Sequence, residues 1–167
     1  MDLSEFLMME HSDIRIMVNT GFLNEINNFK SFSDFLIVDH INIEEKIYFP
    51  VIIDNDWEDK QEFQKIVERV KNDHKLLETL AKNLISWKEN GNENLFNLRL
   101  PLFYKTLKDH NNYEEDHIFS RWISLENSTR QDAMDDALLI VQELDDKYMV
   151  FSGISSNFRQ YIKNHNF

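Results

Sequence analysis

Asp39-His40-Ile41-Asn42-Ile43-Glu44-Glu45-Lys46-Ile47-Tyr48-Phe49-Pro50 returns without a gap as Asp109-His110-Asn111-Asn112-Tyr113-Glu114-Glu115-Asp116-His117-Ile118-Phe119-Ser120, with six of twelve positions identical. The shared residues include His, Glu, Glu and Phe. Upstream of each copy stands a further histidine directly behind an acid, Glu10-His11 before the first and Asp73-His74 before the second. On a helix, residues four apart lie above one another on one face. Each half of the chain therefore reads as an αα-hairpin that supplies one His and then HxxxE.

Apolar spacing around these segments predicts the helices. A first helix, N-capped by Ser4, runs to about Asn27 with Leu3, Leu7, Ile14, Met17 and Phe22 on one seam, and His11 falls inside it. A second starts near Ser31 or Ser33 and reaches about Ile53, burying Leu36, Ile37, Ile43, Ile47 and Val51 on the stripe of His40 and Glu44. The third, from about Asp59 to Lys88, has the cleanest period: Phe63, Val67, Val70, His74, Leu77, Ala81, Leu84. A fourth begins near Asn94 or Pro101, after Gly91, and continues to about Ile123. Beyond it lie an acidic amphipathic helix over 128–147 and, after Gly153, a short helix near 155–164.

Composition agrees with an all-α chain. Three Gly and two Pro leave few tight turns, and alternating β-branched runs are missing. The 167 residues fit one compact unit, a helical bundle over 1–125 with a C-terminal helical extension over 126–167 packed on it. Thirty acidic against eighteen basic residues give a net charge of −12, which repels phosphate backbones and anionic membrane surfaces. No nucleic-acid or membrane partner is expected. With no cysteine, any metal must be held by His and carboxylates, and the chain reads as cytoplasmic, without a leader or a membrane span.

The placement of His11, His40, Glu44, His74, His110 and Glu114 on inner helix faces decides the chemistry. Two buried carboxylates facing each other would be costly or would take up protons, and a pair of dications between them removes that cost. Four imidazoles, two bridging carboxylates and a bridging oxide or hydroxide supply ten of the twelve bonds that two six-coordinate ions need, leaving about two positions open. Such a set suits iron first, with manganese and closed four-coordinate zinc behind it.

The order H…HxxxEE…H…HxxxEE, with Glu44, Glu45, Tyr48, Phe49 and Pro50 forming EExxYFP, resembles the hemerythrin-like or HHE cation-binding family over roughly residues 4–123. The resemblance implies an antiparallel up-down four-helix bundle around a non-haem di-iron centre, with Glu44 and Glu114 bridging and His11, His40, His74 and His110 terminal. Oxygen-carrying hemerythrins have HxxxH on the third helix and HxxxxD on the fourth, whereas this chain has His74-xxx-Glu78 and His110-xxx-Glu114. It looks closer to the branch associated with nitric oxide, peroxide or iron handling. A ferritin-like site needs ExxH on two helices, and only Glu114-Glu115-Asp116-His117 provides one.

Some positions stay open on sequence. Glu78, one turn beyond His74, and His117, seven residues beyond His110, are candidates for a further ligand or for supporting the ligands. Glu45 and Glu115, about 100° around the helix from their neighbours, read as surface or boundary charges. Glu10, Asp39, Asp73 and Asp109 each precede a ligand histidine and either orient a histidine of a neighbouring helix or line a solvated edge. The implied function is binding of, or reaction with, dioxygen, nitric oxide or peroxide. The alternative is an iron-handling or redox-sensing module that signals to a protein partner or a second copy. No flavin or nicotinamide fingerprint is present, and whether the chain is an enzyme is left open.

Overall fold

The computed structural model describes residues 2–143, and among them the chain is all-α, with no strand. Helix α1 is Leu3–Thr20. A 3-10 turn, Phe22–Asn24, leads to α2, which spans 26–53 and contains two widened π turns, Leu36–His40 and Glu44–Tyr48. Helix α3 is Lys60–Glu89, α4 spans 93–122 with a π turn at Glu115–Phe119, and α5 is Asn127–Glu143. The helix expected near 155–164, and the end of the one expected over 128–147, lie outside the described residues.

Helix ends follow local chemistry, and three differ from the sequence reading. Asp2, not Ser4, caps α1: its carboxylate accepts from the Glu5 N–H while the Glu5 side chain accepts from the Asp2 N–H, a reciprocal capping box. Helix α1 stops at Thr20 rather than near Asn27 because Gly21 takes a left-handed φ of 73°, a conformation with no Cβ penalty for glycine. Phe22 consequently lies past the helix and is exposed, off the inner seam. Helix α2 then starts at Ile26, well before the two serines, and Ser33 is buried mid-helix. Helix α4 starts at Glu93, beside the first of the two expected starts, capped by Asn92, whose side chain accepts from the Leu95 N–H; Pro101 is carried inside it at an exposed position.

The π turns matter for the site. Pro50 has no N–H, and its ring crowds the carbonyl four residues back. In Glu44–Tyr48 the Phe49 N–H bonds instead to the Glu44 carbonyl, five residues back. Glu115–Phe119, in the second copy of the duplicated segment, has a similar wide turn with Ser120 where the first copy has Pro50. The widening therefore belongs to the repeat and not to proline alone.

Two apolar clusters are stacked along the helices. Leu3, Phe6 and Leu7 of α1, Ile43 to Ile52 of α2, Phe63, Val67 and Val70 of α3, and Ile118, Phe119 and Trp122 of α4 belong to one. Ile14, then Phe29 to Ile41, then Leu77, Ala81 and Leu84, then Phe96 to Leu107 belong to the other. Each of α1 to α4 thus runs from one cluster to the other, and the direction alternates from helix to helix. Side-chain contacts match along α3 and α4: Arg121 over Phe63, His74 beside His110, Lys88 over Phe96. Helix α5 joins the first cluster through Ala133, Met134, Ala137, Leu138 and Val141, resting on α1 and on the Glu44–Tyr48 turn. Among the described residues no helix is long and apolar enough to cross a membrane.

Candidate metal centre

Between the two apolar clusters lies a buried polar layer, His11, His40, Glu44, His74, His110 and Glu114, each no more than 3% exposed. These six sequence candidates converge. Their ligand atoms form two groups, His11, His40, Glu44 and Glu114, and Glu44, His74, His110 and Glu114, with all atoms of each group within 4.8 Å of one another. Both glutamates belong to both groups. Glu44 turns Oε1 toward His40 Nε2 at 3.3 Å and His11 Nε2 at 3.8 Å, and Oε2 toward His74 Nε2 at 3.3 Å. Glu114 places Oε2 3.3 Å from His110 Nε2 and 3.6 Å from His11 Nε2, and Oε1 3.6 Å from His74 Nε2.

Both oxygens of Glu44 and of Glu114, with Nε2 of His74 and of His110, are buried without a hydrogen-bond partner. Such orphaned groups cost free energy unless something coordinates them, and bound cations would meet that need. The Hemerythrin HHE cation binding domain model matches residues 2–122. The chain belongs to this family. No curated protein and no solved structure matches the chain. The hemerythrin HHE domain accounts for the cation-binding class of the buried cluster.

Three of the four histidines in the buried layer of this HHE domain are held from behind by carboxylates on other helices. His11 Nδ1 donates to Glu115 Oε1, His40 Nδ1 to Glu10 Oε2 and His74 Nδ1 to Glu45 Oε1, each at 2.8 Å. A carboxylate there selects the tautomer with a free Nε2 and raises ligand basicity. Glu45 and Glu115 lie at the boundary, one of the two places their angular position suggested, but each also holds a histidine, a role the spacing did not assign. They reach across to the opposite hairpin, and the signal for them was the Glu-Glu doublet, present in both copies. The Phe shared by the two copies covers a histidine ring in each half, Phe49 stacking on His74 at 5.8 Å and 12°, and Phe119 on His11 at 5.2 Å and 17°.

The acids that precede the histidines divide. Glu10 orients His40, Asp39 is buried with both oxygens unpartnered, Asp73 is half-buried, and Asp109 points to solvent against Lys105. His117 does not reach the layer: it is exposed, stacked on Tyr113 at 4.1 Å, with its Nδ1 donating to the Tyr113 carbonyl. The π turn after Glu114 adds one residue to the turn, so Ile118 takes the inward place that regular spacing assigns to His117. Glu78 turns its carboxylate to Lys82 and not to the cluster.

Protons take up the charge while the ligands face one another. Burial pulls His11 down, but Glu115, Glu44 and Glu114 reverse this and hold its imidazolium up to about 9. Burial likewise opposes, and Glu114, Glu44 and Glu45 more than offset it, at His74, held near 11. Burial and the neighbouring His74 charge push His110 down to about 3, and burial lowers His40. Glu114 is raised by burial and by Glu44, while Glu44 is held low against burial by His40, His11 and His74. Asp39 is pushed up to about 8 by burial and by Glu10.

Proposed function

We propose that this HHE domain holds two iron ions, both bridged by Glu44 and Glu114, and that it binds or reacts with dioxygen, nitric oxide or peroxide there. One observation carries the reading: each bridging candidate belongs to both four-ligand groups, so neither group is complete without them. His11 and His40 would hold one ion, His74 and His110 the other. The alternating run of α1 to α4 between the two clusters supports an antiparallel up-down four-helix bundle around the centre. Iron would supply a redox couple and a Lewis acid. The chain's own residues aim the ligands: Glu10, Glu45 and Glu115 fix three imidazoles, and Phe49 and Phe119 cover two of the rings. Six side chains leave coordination positions for a small ligand.

Metal analysis and absorption of the purified protein test this. Two irons per chain with near-ultraviolet and visible bands are expected, and a colourless protein with one zinc would overturn it. A second reading, iron-dependent signalling to a protein partner, is favoured by α5 resting directly on the turn that carries Glu44. Amide exchange in α5 should then change on iron loading, and equal exchange with and without iron rejects that reading.

A further inference from the structure

The duplicated hairpins place equivalent residues around each half of the layer; the Glu and Phe supports are shared, but the acids before the four histidines differ in length or burial, and the residues one turn beyond His11 and His74 differ in charge. Behind His40 stand two fully buried carboxylates, Glu10 and Asp39, and Glu10 Oε2 holds His40 Nδ1 at 2.8 Å. Behind His110 the equivalent residues are Asp73, one methylene shorter than Glu10, and Asp109, whose side chain is 58% exposed. His110 Nδ1 has no partner.

The contrast repeats one turn after the other pair of histidines. Four residues beyond His11 is Arg15, whose Nη2 donates to Glu115 Oε1 at 2.6 Å and to Asn112 Oδ1 at 3.1 Å, so the His11–Glu115 pair is clamped. Four residues beyond His74 is Glu78, which has the same sign as Glu45 and pairs away from it with Lys82. Glu45 is left 37% exposed, against 20% for Glu115. There a surface cleft of about 340 Å³, lined by Ile41, Asn42, Glu45, His74, Lys75 and Glu78, leads down to His74.

We propose that the two metal positions are unequal: the one held by His11 and His40 fills first, and the one held by His74 and His110 binds weakly and exchanges through the cleft beside His74. This rests on the two-ion reading above. An ion on the first side has both of its imidazoles anchored, by Glu115 and by the buried Glu10, with one further buried carboxylate, Asp39, beside them. An ion on the second side has one anchored imidazole, held by the half-buried Glu45, and a path to solvent. Outer carboxylates of this kind change metal affinity by roughly tenfold to a hundredfold. Asp73 and Glu78 are thus positioning residues that set which ion leaves.

Anaerobic titration of the metal-free full chain with Fe(II) against a coloured chelator should give two steps at least about tenfold apart, and chelator added to the loaded protein should remove one ion fast and one slowly. Asp73→Glu restores the missing methylene and Glu78→Arg restores the clamp, so each should slow the fast ion and leave the slow one alone. Glu10→Asp should speed the slow ion and draw the two steps together. Equal affinities and joint release in the unaltered protein would overturn the proposal. So would a fast ion indifferent to both Asp73→Glu and Glu78→Arg, or one whose release is changed by Glu10→Asp instead. Fewer than two irons at saturation would instead remove the two-ion reading, and this proposal with it.

Discussion

His11 and Glu115 lie 104 positions apart in the chain, yet the 2.8 Å bond between them shows how little of a ligand's behaviour is its own. On the proposed two-ion reading, Glu44→Ala and Glu114→Ala should each lose at least one ion, because each would bridge both. Glu45→Gln and Glu115→Gln should keep two ions with affinity lowered by roughly tenfold to a hundredfold, read by chelator competition. His117→Ile should leave metal content and spectrum unchanged, since this side chain is outside the layer. The histidines also set a pH dependence for the metal-free protein. Between pH 6.5 and about 9, His11 and His74 keep their protons when folded, facing Glu44, Glu114, Glu115 and Glu45, and lose them when unfolded. The folded state then binds more protons, so stability falls as pH rises, by on the order of 1 kcal/mol per pH unit per group. Asp39, raised to about 8, acts in the same direction. A cation bound by these histidines must displace those protons, so its affinity should rise over the same window. Denaturation of the metal-free chain at pH 6.5 and 9, with Fe(II) affinity at both, checks the opposed slopes.

At the scale of an element, the π turns and caps decide which face a residue presents. A regular helix through 110–119 would carry His117 inward, and the widened turn at Glu115–Phe119 carries Ile118 inward in its place. Gly21 ends α1 at a φ of 73°, where an added Cβ would also stand 3.2 Å from the Asn24 side-chain nitrogen. Gly21→Ala should therefore cost about 1 kcal/mol or more in thermal denaturation, without changing metal stoichiometry. Asp2→Ala removes the cap and should cost about 1 kcal/mol. Equal melting of these variants and the parent would show that neither end limits the fold.

For the whole molecule, the buried layer makes metal and fold interdependent. Without ions, Glu44 and Glu114 face each other between two apolar clusters, and bound ions add about 2.7 kcal/mol per site at a hundredfold excess over Kd. Chelation should lower the melting temperature by several degrees, and an unchanged value would contradict a buried site. Helix α5 is part of this unit, because Ala137, Leu138 and Val141 share a cluster with Leu3, Tyr48 and Trp122. Ala137→Asp should destabilise the entire domain by several kcal/mol, since a charge there enters the core unpaired.

The helical class, the inner faces and all six layer residues were legible in the sequence because each depends on spacing within one helix, which the helical period of about 3.6 residues determines. The HxxxE pairs at His40 and His110, and the replacement of an apolar residue by His74 in a uniform seam, needed no partner to be recognised. Three things depended on the tertiary structure. Glu45 and Glu115 look like boundary charges on their own helices, and only the neighbouring hairpin brings His74 and His11 to them. The roles of Glu10 and Asp73, the acids before His11 and His74, separate only in the folded chain, where Glu10 Oε2 meets His40 Nδ1 and His110 Nδ1 has no partner. Regular spacing puts His117 inward, but a wide turn shifts the helical phase by one residue, and the second copy has no proline to announce it. Spacing along one helix fixes the direction of a side chain only while the helix stays regular; what it meets there is settled by a different part of the chain.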